Sequence, residues 1–226
     1  ESVYAHQYLN IAFSSEEQTF KPEWVRFYDK PPEGLCHFMT VDPAISLEQD
    51  ADSTGIIVNG CDWHHNWFIR EAYQKRMTPA EMLDRIFHFA QAYQPIYCLG
   101  LQKFHLEKFL KVNLEDEMKK RNIFIPIKDI PTDTRVSKDF RIRALQPRFQ
   151  NSQIWIKKEH KALYDQIVMH PQLRHDDLID PLQMMLGITF PSDILTEAPS
   201  QDPIHRLPLA QQEVWKEVRR LGGGRR

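Results

Sequence analysis

No stretch of this chain is apolar over the length of a membrane span, and its first residues, ESVYAHQYLN, lack a basic-then-apolar signal pattern. The expectation is a soluble, cytoplasmic protein with no membrane contact. Cysteine is scarce: Cys36, Cys61 and Cys98 lie far apart with no C-x-x-C pair. Neither a disulfide framework nor a paired-cysteine zinc site is expected, and buried reduced thiols are. An excess of one charge is missing too, since the net charge is only −2. Bulk composition therefore gives no sign of a polyanionic partner, although a local basic face beside an acidic site is compatible with it. The chain has no internal repeat and no G-x-x-x-x-G-K-[ST] loop, so no nucleotide is expected to bind this stretch. An initiator Met is absent as well, and HQYLNIAFSSEEQTF reads as continuing from a preceding domain, as in a piece of a longer protein.

What is present is ordinary for a folded domain: 226 residues, 42% hydrophobic and 27% charged. That length suits one α/β domain with a sizeable core, with or without tails. Residues 1–34 are mixed and end in the turn-rich KPPEG, which reads as a connection. CHFMTVDPA, TGIIVNG and NWFIREAY follow as three strands of an antiparallel meander. A helix is expected from Thr78, where Thr78, Pro79 and Glu81 form a capping-box start and Met82, Ile86 and Phe89 an apolar face. A buried strand ending near Leu101, a helix through Leu106 to Met118 and a strand over NIFIPI come next. DFRIRALQ reads as a short helix stopped by Pro147, QIWI as a strand, HKALYDQIVMH as a helix and RHDDLIDPLQMMLGITF as a final helix. Residues 35–190 thus form the domain, with a mixed sheet and helices on its faces, and 191–226 read as a flexible tail.

Two groups of acids stand out. Asp42 ends a buried strand, where α/β sheets place chemistry, although an Asp-Pro pair also starts turns. HDDLID supplies His175, Asp176, Asp177 and Asp180 at a helix start; one cap needs fewer acids than that. Carboxylates are the hard oxygen donors that hold Mg²⁺ or Mn²⁺, and two such ions can activate water and stabilise the leaving oxygen of a phosphodiester. A basic stretch from Arg135 to Lys161 offers Arg135, Lys138, Arg141 and Arg143 as the best phosphate contacts. Nothing resembles a recognition helix or zinc finger, so sequence-specific base reading is not expected.

TVDPAISLEQDADSTGIIV, RIRALQPRFQNSQIWI and RHDDLIDPLQ occur in an order and spacing that resemble the nuclease domains of tailed-phage terminase large subunits. The pattern runs roughly from Ala5 to Phe190, and R-I-x-x-L-x-P-x-F followed by H-D-D-x-x-D is its most specific part. The resemblance implies an RNase H-like α/β fold, three antiparallel strands followed by parallel ones, flanked by helices. It implies a metal-dependent endonuclease cutting double-stranded DNA during packaging in the host cytoplasm, after a missing ATPase domain. It also implies two Mg²⁺ or Mn²⁺ ions, with portal protein and the small terminase subunit as partners, and the isolated domain is expected to be monomeric. By position the first acid is Asp42 and the last comes from Asp176 or Asp177. Asp177 is preferred because on a helical wheel it borders the face of Leu178 and Leu182, whereas Asp176 and Asp180 point further from the core. Asp176 is then a second ligand or a support, and His175 and Asp180 are accessory candidates.

The chain departs from that pattern twice. The position of the second acid is Gln102, whose neutral oxygen lacks the charge that holds two dications together. Three explanations stay open: an inactivated form in which glutamine replaces glutamate, a substitute acid such as Glu107, or a one-metal or weakened enzyme. Pro181 falls where the family's helix usually continues, so the helix must start close to Asp177–Asp180 or kink. Two other readings remain: another RNase H-like nuclease, such as a resolvase or transposase, and a catalytically impaired DNA-binding or portal-docking module.

Overall fold

The computed structural model describes residues 18–43, 53–102, 107–131, 135–173 and 176–191. Its centre is a sheet of seven strands in the order β1-β7-β4-β3-β2-β5-β6. The strands are β1 (Arg26–Phe27), β2 (Cys36–Asp42), β3 (Thr54–Cys61), β4 (Trp67–Lys75), β5 (Ile96–Gln102), β6 (Ile127–Ile130) and β7 (Ile154–Ile156). β2, β3 and β4 pair antiparallel, as the alternating sequence predicts, while β5, β6, β7 and β1 join parallel to their neighbours. This is the RNase H-like arrangement expected above.

Alternation along the strands divides the core between two faces. Met39 and Val41 of β2 and Ile56 and Val58 of β3 face α1 (Pro79–Ala92) and α2 (Glu107–Arg121). Phe38, Ile57 and Ile69 face the opposite way, towards α3 (Lys138–Arg143), α4 (Gln146–Gln150), α5 (Lys161–Val168) and α6 (Ile179–Met184). α1 begins as anticipated. Thr78 accepts from the Glu81 amide, and Glu81 accepts from the Thr78 amide at 2.7 Å, a complete capping box.

Several elements differ from the sequence reading. The NIFIPI strand lies later: Ile125 is buried, but the ladder with β5 starts at Ile127, opposite Leu99. Pro147 does not only end a helix. It occupies the first turn of α4, where its missing N–H costs nothing. Residues 18–28, read as connection, join the domain: Phe20 and Val25 are buried, and β1 pairs with β7. The final helix is short. It spans Ile179–Met184 and tightens into a 3₁₀ turn at Met185–Gly187, with Pro181 inside its first turn as proline requires. Cys36, Cys61 and Cys98 are buried and form no disulfide with one another. Residues 191–226 lie outside the described residues, save Pro191.

The seat of α6 positions everything that follows. Its N-cap, Leu178, has no side chain able to cap, and the buried Gln166 of α5 replaces one. Gln166 Oε1 accepts from the Leu178 amide at 2.7 Å and the Ile179 amide at 3.2 Å, while its Nε2 donates to Gln74 at 2.8 Å. Thr40 of β2 donates from Oγ1 to the Pro181 carbonyl at 2.7 Å. Gly55 of β3 lies so close that an added Cβ would be 1.7 Å from the Asp177 carbonyl oxygen. Because the obstructing atom is backbone, Gly55→Ala is expected to cost about 3 kcal/mol and lower the melting temperature by roughly 6–12 °C. Thermal denaturation checks this, and an unchanged midpoint would mean α6 is not held against β3.

Candidate active site

β2 ends at Asp42, and alternation with Thr40 turns its carboxyl to the face covered by α3 and α6. On the antiparallel side Asp42 pairs with Gly55, directly beneath Asp177. On the parallel side Val41 pairs with Leu101, so Asp42 and Gln102 end neighbouring strands. The backbone of Gln102 thus stands beside the first acid, at the C-terminal end of the sheet. Its side chain, that of Glu107, and His175 altogether lie outside the described residues.

The 176–180 segment brings its acids to the same place. Asp177 and Asp180 are 7% and 9% exposed, and the Asp180 amide donates to the Asp176 carbonyl at 3.2 Å. This corrects the helical-wheel placement of Asp180, which is buried rather than turned away. The wheel fails because residues 176–178 form a turn and regular helix starts only at Ile179. Asp177 is buried as expected from its place beside Leu178.

Lys138 is the unforeseen member of the site. Ser137 caps α3 by accepting from the Phe140 amide at 3.2 Å, and Lys138 follows as its first residue. Lys138 Nζ lies 2.7 Å from Asp176 Oδ1 and 2.5 Å from Asp180 Oδ2. Burial opposes its charge, but these two bonds outweigh that and raise its pKa. The sequence offered Lys138 as a phosphate contact, whereas here it is bound to the acids. Among the other basic candidates, Arg143 pairs with Asp139 at 2.7 Å and Arg135 is exposed. Arg141 is half-buried, its Nε without a hydrogen-bond partner among the described residues.

The electrostatics show how closely the acids gather. Burial pushes the Asp42 pKa up to about 7, and the carboxylates of Asp180, Asp177 and Asp176 add to the rise, with Lys138 opposing it. Asp180 is raised too, by burial, against the pull of Lys138. Clustered carboxylates that raise one another's pKa are an unfavourable arrangement that a cation relieves, and their oxygens are hard donors of the kind divalent ions take. The donor chemistry therefore fits a divalent metal. Among the described residues, no three His, Cys, Asp or Glu side chains close into a ready-made metal cage.

The strand order and the helices on both faces of the sheet give the chain an RNase H-like fold. More particularly, it superposes on large terminase nucleases. The nuclease of thermophilic phage G20c, crystallised with bound zinc, matches with a TM-score of 0.54 and 13% identity, over 75% of this chain and 96% of that one. The same phage nuclease has also been solved with magnesium and with cobalt. The P22 large terminase nuclease domain matches at a TM-score of 0.53 and 11% identity, over 75% of this chain and 90% of that one. The large terminase of bacteriophage HK97 matches at 0.55 and 8% identity, over 76% of this chain but 44% of its own length. No protein-family model matches the sequence, and no curated protein does. The shared property is the fold.

The raised Asp42 pKa carries a sign that can be checked. A carboxyl with a folded-state pKa above its unfolded value stabilises the fold at acid pH, and that contribution is lost as pH rises from about 4 to about 7. Asp42→Asn removes the buried charge. In metal-free buffer it is expected to raise the melting temperature by a few degrees at pH 8 and to leave it unchanged at pH 4. A variant less stable than the parent at pH 8 would contradict the burial and the neighbouring carboxylates that raise Asp42.

Proposed function

We propose that this domain is the nuclease of a tailed-phage large terminase subunit, a metal-dependent endonuclease that cuts double-stranded DNA with little sequence preference during genome packaging. The observation that carries the reading is the convergence of Asp42 with Asp176, Asp177 and Asp180 beyond the C-terminal end of the sheet, in the fold that terminase nucleases share. Asp42, Asp177 and Asp176 are the residues that would hold two divalent ions, Mg²⁺ or Mn²⁺, with His175 and Asp180 as accessories. Bound there, the metals supply a nucleophilic water at neutral pH and charge opposite the leaving oxygen. The protein's part is to present those carboxylates at a strand end and a helix start that cannot shift independently. Thr40, Gly55 and Gln166 fix α6 over β2 and β3, so Asp42 and Asp177 keep their relation during turnover.

Gln102 limits the activity in this reading. At the end of β5 it stands in the place of the second acid and supplies at most a neutral oxygen. With glutamine there the enzyme is weak, and glutamate at this position restores the triad. DNA contacts fall to Arg135, Arg141 and Arg143, with Lys138 neutralising the acids until metal and phosphate arrive. Within a packaging complex in the host cytoplasm the domain would follow an ATPase domain and work with portal protein and the small terminase subunit. The second reading, an impaired DNA-binding or portal-docking module, is favoured by the same Gln102 and by the lysine already bound to two of the acids.

Supercoiled plasmid and Mn²⁺ separate the two. Gln102→Glu is expected to cut at least tenfold faster than the parent, and Asp42→Asn in the Gln102→Glu background to be inactive (a loss of over ~100-fold, on the order of 3 kcal/mol in transition-state stabilisation). If all three proteins shift DNA in a gel and none cuts, the binding-module reading takes over.

A further inference from the structure

A second feature occupies the same end of the sheet on its other face. A cavity of about 340 Å³ opens between the end of β4 and α1, lined by Tyr73, Lys75, Met77, Glu81, Asp84, Arg85 and His88. The walls look balanced in charge, but the acids are already engaged. Glu81 is held by the Thr78 amide and hydroxyl in the capping box, and Asp84 pairs with Arg121 of α2. The cations are held more loosely: Lys75 and Glu81 attract each other without a close ion pair, and Arg85 rests on the rings of Tyr73 and Phe89. The guanidinium carbon of Arg85 lies 4.5 Å from the Tyr73 ring centre, and neither Arg85 nor Lys75 or His88 has an ion pair among the described residues. A guanidinium resting on a ring still presents N–H groups to a planar or tetrahedral oxyanion.

From this we infer that Lys75, Arg85 and His88 form a phosphate-binding notch that holds the DNA backbone beside the cut site. The inference rests on the DNA-cutting reading above and extends it to a surface that reading does not use. Register places the notch. Lys75 pairs with Thr54, and the next residue of β3, Gly55, pairs with both Gln74 and Asp42. β4 therefore ends level with Asp42, two strand spacings or about 10 Å across the sheet. Tyr73 packs with the α1 face and Asp42 turns to the α6 face, so the two sites flank one sheet end. The minor groove of a duplex is only about 6 Å wide. A duplex with one strand at Asp42 thus brings a phosphate of the other strand within reach of Lys75 and Arg85. Neither side reads a base, in keeping with cutting that ignores sequence.

Salt dependence of DNA affinity tests the notch without any cutting. Fluorescence anisotropy of a labelled duplex is measured in EDTA across a salt series for the parent, for Lys75→Ala/Arg85→Gln, and for Lys119→Ala/Lys120→Ala. The last pair removes equal charge, but from lysines already paired with Asp116 and Glu117. Glutamine at 85 keeps the aliphatic stem against Tyr73. The expected result is that the slope of log affinity against log salt falls by about 2 for the notch variant and not for the control. Melting temperatures equal to the parent's accompany it. An unchanged slope overturns the notch, and so does equal loss in the control. A fallen slope with no plasmid cleavage by Gln102→Glu leaves the notch standing and removes the nuclease reading. Cleavage by Gln102→Glu with an unchanged slope does the reverse.

Discussion

The structure depends on one close backbone contact: the Asp177 carbonyl resting on β3 where residue 55 has no side chain. Everything at the site is referred to that contact. It sets the height of α6 over the sheet, and Thr40 locks the helix laterally by its bond to the Pro181 carbonyl. Gln166 holds the helix start from the α5 side, supplying the acceptor that Leu178 cannot. With the helix so fixed, Asp177 and Asp180 are buried against a sheet whose strand β2 ends in Asp42. Burying a carboxyl is costly, more so beside other carboxylates, and burial first, then Asp180, raises the Asp42 pKa to about 7. The lysine on α3 offsets part of it by bridging Asp176 and Asp180.

This arrangement holds Asp42, Asp177 and Asp180 together against their mutual repulsion. Acids held together against their repulsion are already organised, so a cation entering them does not have to order the chain. The mixed sheet contributes by ending its parallel and antiparallel strands at one level. Asp42, Gly55, Lys75 and Gln102 all stand near that edge, with acids on one face and unpaired cations on the other.

The secondary structure was largely legible because it rests on local signals. Alternation marked β2, β3 and β4, and the Thr78–Glu81 capping box marked the start of α1. Errors arose where one apolar run serves two purposes or where proline has two meanings. Ile125 is buried in a connection rather than in a strand, and Pro147 opens α4 as well as closing the preceding stretch. The short β1 carried no periodic signal, since two residues cannot show one, and it exists because β7 offers an edge.

By itself the sequence determined which residues are acidic at the end of a buried strand and at a helix start, and their order along the chain. It also determined that glutamine occupies position 102. Only the tertiary structure decided that Asp180 turns inward, that Lys138 joins the acids, and that Gly55 must remain small. The reason is separation along the chain. Lys138 and Asp176 are 38 residues apart and Thr40 and Pro181 are 141 apart, and no local periodicity encodes a contact across such distances. Burial and charge at a site belong to the packed surfaces that enclose it, and those surfaces exist only once the chain has folded.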